Sequence, residues 1–191
     1  MAGTPAMFLD RDGVIIENAH YLARIEDIRL IPGSAAAIRR LNQAHIPVVV
    51  ITNQSGVARG YFPESFVCDT HVYLNELLAA EGARVDGWYY CPHHPEHGLD
   101  CDCRKPKPGM LQTAAQEKNL DLSRSWLVGD NLTDIEAGAA AGCRTILVRT
   151  GHGASMRVPD DRSILKLESI EDTLADAIEC YFRTKDRHQA A

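Results

Sequence analysis

In the stretch MFLDRDGVI, Met7–Ile15, an apolar run ends on two carboxylates one residue apart and then turns at a glycine. Ala6–Asp10 is short, continuous and apolar, as a strand buried on both faces is. Side chains on extended backbone repeat every second residue, so Asp10 and Asp12 can face the same space. Gly13 lets the chain turn away. Carboxylates that close destabilise each other unless one is protonated or a cation lies between them. Asp and Gly are also common turn residues, so the stretch must be weighed against the rest of the chain.

Working outward, apolar runs alternate with helical patterns. Ile46–Asn53, with three consecutive valines, Gly87–Cys91, Ser125–Asn131, Arg144–Thr150 and Ser163–Ser169 read as further strands. Helices are expected over 32–45, 63–82, 108–119, 133–142 and about 170–181. Pro63 and Glu64 open the second of these and Gly82 closes it. Strands alternating with helices predict an α/β fold, a doubly wound parallel sheet with helices on both faces, giving three layers. The chain shows no repeat and no linker. It reads as one domain over 1–191, with a frayed tail over 184–191.

At 191 residues, 45% hydrophobic and 24% charged, the chain can bury a full core. Its net charge of −6 speaks against nucleic-acid partners. No apolar run approaches the ~20 residues that cross a bilayer. The start MAGTPAMFLD lacks the pattern of a secretory signal. A cytoplasmic protein, monomeric and without a membrane partner, is expected, with its six cysteines as reduced thiols or metal ligands. Cys68, Cys143 and Cys180 read as small core hydrophobes.

In such sheets the ligand crevice lies outside the carboxyl ends of the strands. Asp10 and Asp12 follow the first strand, Thr52 and Asn53 end the second, and Asp130 ends the fourth. Oxygen ligands of this kind suit Mg²⁺, which takes one or two carboxylates plus substrate phosphate. FLDRDG, ITNQSG, the lysine of RKPKPG and VGDNLTD resemble, in order, the four motifs of the haloacid dehalogenase superfamily of phosphatases. The resemblance implies that Asp10 attacks phosphorus and that Asp12 serves as general acid, then general base. Asp10, the backbone carbonyl of Asp12 and Asp130 would hold Mg²⁺. Thr52, Arg104 and Lys105 would complete the catalytic set, with Asn53 on the phosphoryl oxygens and Asp134 supporting Lys105.

CPHHPEHGLDCDC places Cys91, His93, Cys101 and Cys103 within thirteen residues, and thiolates with imidazole are the ligands of structural Zn²⁺. His94 and His97 compete with His93. A zinc loop at about 91–103 running into Arg104-Lys105-Pro106 is similar to one subgroup of these phosphatases. That subgroup contains the heptose 1,7-bisphosphate 7-phosphatases and the histidinol-phosphate phosphatases, with a minimal cap, and it makes His93 the ligand. By the same resemblance Asn18, Ala19, His20, Tyr21, Gln54, Ser55 and Asn131 touch a small phosphorylated sugar. Arg104 suits a second anion, and Arg59 is either a phosphate contact or a solvated loop residue. Gly151-His152-Gly153 reads as a plain turn. A non-catalytic zinc module is the alternative from another class.

Overall fold

The apolar run before Asp10 is the centre of a six-stranded parallel sheet. The computed structural model describes residues 3–18, 22, 24–97 and 101–189. The strands are β1 (Met7–Leu9), β2 (Val48–Asn53), β3 (Gly87–Cys91), β4 (Trp126–Gly129), β5 (Arg144–Val148) and β6 (Leu167–Glu171). Their order is β3-β2-β1-β4-β5-β6. Phe8 pairs with Val49 on one side and Leu127 on the other. The chain builds outward from β1 to β3, then crosses back and builds the other way from β4. The order therefore reverses between β1 and β4, and a crevice opens there at the carboxyl ends. Asp10 and Asp130 leave the sheet at this switch point, where the Asp10 N–H donates to the Val128 carbonyl at 3.0 Å.

The strands are almost wholly apolar because both faces are covered. Met7, Leu9, Val48, Val50 and Val128 pack under α1 (Ser34–Gln43), α2 (Glu64–Ala80) and α5 (Leu174–Gln189). Phe8, Val49, Ile51 and Leu127 face the other way, against α3 (Gly109–Lys118) and α4 (Leu132–Ala141). The alternation follows the two-residue repeat of extended backbone. No helix among the described residues is long and apolar enough to cross a membrane.

Three expectations shift. The sixth strand lies later than Ser163–Ser169, because 163–166 form a turn whose Ser163 N–H donates to Asp161 Oδ1. The last helix starts at Leu174 rather than near 170. Thr173 and Asp176 exchange backbone-to-side-chain bonds of 3.1 and 3.3 Å, a reciprocal cap of the Ser/Thr-x-x-acid kind. That helix then runs to Gln189, past 184, where a tail was expected. Phe182, under the Arg40 guanidinium and beside Tyr181, ties its later turns to the core. Cys143 is buried as expected and Cys180 half-buried, but Cys68 is exposed.

Phe8 is fully buried between two strands and one helical layer, whereas Ile164 is 77% exposed. Phe8→Ala is expected to cost about 3–5 kcal/mol of unfolding free energy and Ile164→Ala under about 0.5 kcal/mol. Urea denaturation of the two variants checks this.

Candidate active site

A cavity of about 380 Å³ lies over the carboxyl ends of β1, β2 and β4, within the usual range for small-molecule sites. Asp10, Asp12, Thr52, Asn53, Lys105 and Asp130 all line it, joined by Asn18, Gln54, Ser55, Arg104, Asn131 and Asp134. Residues far apart in the chain therefore meet at one rim. Ala19, His20 and Tyr21 lie outside the described residues.

The centre is a buried ammonium. Lys105 Nζ lies 2.9 Å from Asp10 Oδ1 and 2.6 Å from Asp134 Oδ1, and donates to the Ile51 carbonyl at 2.9 Å. Burial alone would pull its pKa down, but Asp10 and Asp134 outweigh that and raise it, so the cation is firmly charged. Asp134 turns its other oxygen to the Asn131 N–H at 3.0 Å. Asn131 Oδ1 accepts from the Thr133 N–H, so the two residues form the capping box that starts α4. One aspartate thus ties a helix start to the lysine.

Asp10 also accepts the Arg11 N–H at 2.8 Å. Burial, with Lys105 opposing and Asp134, Asp130 and Asp12 adding repulsion, pushes its carboxyl up to about 8. Asp130 is pushed up to about 6, mainly by burial and against the His152 N–H, which donates to its Oδ2 at 2.7 Å. The turn over 151–153 is therefore more than a connection, because it closes one side of the site. Gly13 and Gly151 have positive φ of 79° and 57°. A Cβ on either would stand 2.2 or 2.1 Å from Asp130 Oδ2. Backbone must approach this carboxylate closely, and only glycine permits it. Oxygens of Asp10, Asp130 and Asp134 lie within 4.8 Å of one another. Hard oxygen donors gathered in this way fit Mg²⁺. With both Asp134 oxygens engaged, Asp10 and Asp130 are the pair free to serve it.

Asp12 stands apart from that trio. Arg11 grips it through Nε and Nη2 at 3.0 and 3.1 Å, while Gln54 Nε2 and Thr52 Oγ1 donate at 2.9 and 3.3 Å. Asn53, expected at the phosphoryl oxygens, lines the cavity and also has a structural use. Its amide exchanges two 3.1 Å bonds with the backbone of Lys105, clamping β2 to the loop that carries the lysine.

That loop continues from a second cluster. Donor atoms of Cys91, His93, Cys101 and Cys103 lie within 4.8 Å of one another. His93 Nδ1 stands 3.4 Å from Cys103 Sγ and 3.7 Å from Cys91 Sγ, and Cys91 Sγ 3.6 Å from Cys101 Sγ. A tetrahedron with Zn–S bonds of ~2.3 Å has edges of ~3.7 Å; these three separations come near that, while the sulfurs of Cys91 and Cys103 stand closer, at 2.9 Å. None of the six cysteines is disulfide-bonded. His94 stands outside the thiol cluster: Arg59 Nη2 lies 2.9 Å from its Nε2, and the Glu96 N–H donates to Nδ1 at 3.3 Å. Arg59 lies away from the cavity lining, and its charge opposes a cation at the neighbouring His94, Glu96 and His97 group. The two sites are joined through backbone. Arg104 Nη1 donates to the His93 carbonyl at 3.1 Å, Ala58 N–H to Pro92 at 3.2 Å, and Gln54 N–H to Cys91 at 2.8 Å.

Sequence reading missed Arg11, Leu22, Phe62, Thr133 and His152 as lining residues. Arg11 and Thr133 sit inside FLDRDG and VGDNLTD between the carboxylates that carry the reading, whereas Leu22, Phe62 and His152 lie outside the four motifs, and of these only His152 was signalled, by its flanking glycines.

Because Asp10 and Asp130 have raised pKa values, the stability they contribute is full below about pH 4. It is lost as pH rises through about 6 for Asp130 and about 8 for Asp10. Mg²⁺ favours the ionised acids. Its addition is expected to raise the melting temperature more at about pH 8 than at about pH 5. Equal shifts in calorimetry would contradict this.

A family model described as HAD-hydrolase-like matches residues 102–177. The D-glycero-D-manno-heptose-1,7-bisphosphate 7-phosphatase of Thermosynechococcus vestitus is 45% identical over 184 residues, covering 92% of this chain and 94% of that one. The D-glycero-beta-D-manno-heptose-1,7-bisphosphate 7-phosphatase of Pseudomonas aeruginosa is 47% identical over 148 residues, 77% and 82% of the two chains. The crystal structure of D,D-heptose 1,7-bisphosphate phosphatase from B. bronchiseptica, complexed with magnesium and phosphate, has a TM-score of 0.83 at 36% identity, covering 95% of this chain and 99% of that one. Identity of 45% over 92% of this chain and 94% of the T. vestitus enzyme shows that this chain belongs to the heptose-bisphosphate 7-phosphatase family of the haloacid dehalogenase superfamily.

Proposed function

We propose that this chain is a Mg²⁺-dependent phosphomonoesterase that removes the 7-phosphate of D-glycero-D-manno-heptose 1,7-bisphosphate, on the route to nucleotide-activated heptose and lipopolysaccharide. The observation that carries the chemistry is Lys105, charged and buried, held against Asp10 within one cavity that also contains Asp12 and Asp130. The activities of the relatives support the substrate.

In this reading the Asp10 carboxylate attacks phosphorus, forming a P–O bond while the P–O bond to C7 breaks. Asp12 gives its proton to the departing C7 oxygen. It then takes a proton from the water that attacks phosphorus and restores Asp10. Arg11, Gln54 and Thr52 set the position from which Asp12 works. Lys105 orients the nucleophile and offsets charge on the phosphoryl oxygens. Magnesium, held by Asp10, Asp130 and the Asp12 carbonyl, supplies further neutralisation of the phosphoryl group when bound.

We assign Cys91, His93, Cys101 and Cys103 to a structural Zn²⁺, with all four positions filled by protein and none left for water. Its role is to brace the loop that presents Arg104 and Lys105 and, through Pro92 and Ala58, the 54–61 loop. Arg104, half-buried at the junction, is placed to meet the second phosphate. Asn18, Ala19, His20, Tyr21, Ser55 and Asn131 are assigned to the sugar. We place the enzyme in the cytoplasm as a single-domain monomer with a minimal cap. Its unbonded thiols suit a reducing compartment. Its exposed large apolar residues, Tyr61, Val72 and Ile164, are scattered over separate elements.

Purified protein with Mg²⁺ is expected to release one phosphate from the bisphosphate and leave heptose 1-phosphate, read by ³¹P NMR. No release, together with ready cleavage of histidinol phosphate, would overturn the substrate. Asp10→Asn is expected to lower turnover by at least ~10³-fold while zinc content persists. Zinc chelation is expected to raise KM and lower the melting temperature, whereas Mg²⁺ removal stops turnover outright.

A further inference from the structure

Most residues lining the cavity are polar or charged, which suits phosphate and hydroxyls. Among the described lining residues only Leu22 and Phe62 carry large apolar side chains. Leu22 is 6% exposed and sealed into the core, while Phe62 is half-buried and keeps ring surface available.

Phe62 is also held in place by its surroundings. A Cβ on Gly56 would stand 2.4 Å from both Cε1 and Cζ of Phe62, so the far edge of the ring occupies the space a side chain at 56 would need. The loop between them is closed by the Tyr61 N–H donating to the Gly56 carbonyl at 2.9 Å and the Arg59 N–H donating to Ser55 at 3.1 Å. The ring also meets Phe66, in the first turn of α2, at 5.2 Å between centroids and 49°. Gln54 and Ser55, which line the same cavity, lie directly before Gly56. An aromatic plane is thus fixed beside the polar groups of this loop.

The face of an aromatic ring carries partial negative charge and receives weakly positive edges. A sugar has such an edge in its C–H face, flattened against the hydroxyls that polar residues bind. We propose that Phe62, seated on Gly56, packs against the C–H face of the bound sugar and makes the site select sugar phosphates over small phosphoryl compounds without a sugar face. The inference rests on the sugar-phosphate reading above. The ring touches substrate away from the reacting phosphorus, so its contribution is made equally in the bound and transition states and falls on KM.

The test compares heptose 1,7-bisphosphate with acetyl phosphate, which has no sugar face, in the full chain with Mg²⁺ present. Phe62→Ala is expected to raise KM for the bisphosphate about tenfold, and to lower the ratio of kcat/KM on the bisphosphate to that on acetyl phosphate by a similar factor. Phe62→Tyr, which keeps the ring, is expected to stay near wild type. Gly56→Ala, which displaces the ring, is expected to reproduce the loss, and the double variant to be no worse than the weaker single one, as coupled neighbours are. Equal losses on both substrates, or an unchanged KM in Phe62→Ala, would overturn the role of the ring and leave the functional reading standing. Wild-type protein inactive on the bisphosphate but active on acetyl phosphate would overturn the functional reading, and the inference with it.

Discussion

The structure depends on one buried cation. Lys105 is held by two carboxylates and a main-chain carbonyl from three different segments. Burying an ammonium is costly unless it is paired and hydrogen-bonded, so these partners must all be present for the loop to sit where it does. The same contacts do chemical duty. They keep the lysine charged beside Asp10, and through Asp134 they couple it to the capped start of α4. Stability and catalysis use the same atoms.

Acid crowding at the switch point is the complementary constraint. Asp10, Asp130 and Asp134 face one another with one lysine between them, and burial raises the first two. A divalent cation among them would favour their ionised forms and offset their mutual repulsion. The relative complexed with magnesium and phosphate is consistent with this logic. The Cys/His cluster acts at a distance, through hydrogen bonds from Arg104, Ala58 and Gln54 to its backbone carbonyls.

Much of this was legible in the sequence because the signals are local. Continuous apolar runs marked β1, β2 and β4, and the strand-end rule placed Asp10, Thr52 and Asp130 at one rim before any coordinates. Six cysteines and histidines within thirteen residues marked the candidate metal loop. What escaped depends on long-range packing. The Thr173–Asp176 cap, which delays α5, is a pattern of weak specificity and lay under a tempting helical run. The clamp of Asn53 on the Lys105 backbone joins positions 52 residues apart, so no local pattern announced it. Arg11, Phe62 and His152 gained their places from tertiary proximity, and the Gly13–Gly151 approach to Asp130 involves two turns that no local motif links.

The central claim is that the phosphoryl group passes through the side chain of Asp10. The direct measurement is rapid acid quench of enzyme mixed with excess heptose bisphosphate and Mg²⁺, followed by peptide mass spectrometry. The account predicts a burst in which the peptide containing Asp10 carries the mass of one phosphoryl group, labile to hydroxylamine. Turnover without any such adduct, under conditions where chemistry outpaces hydrolysis of the intermediate, would contradict it.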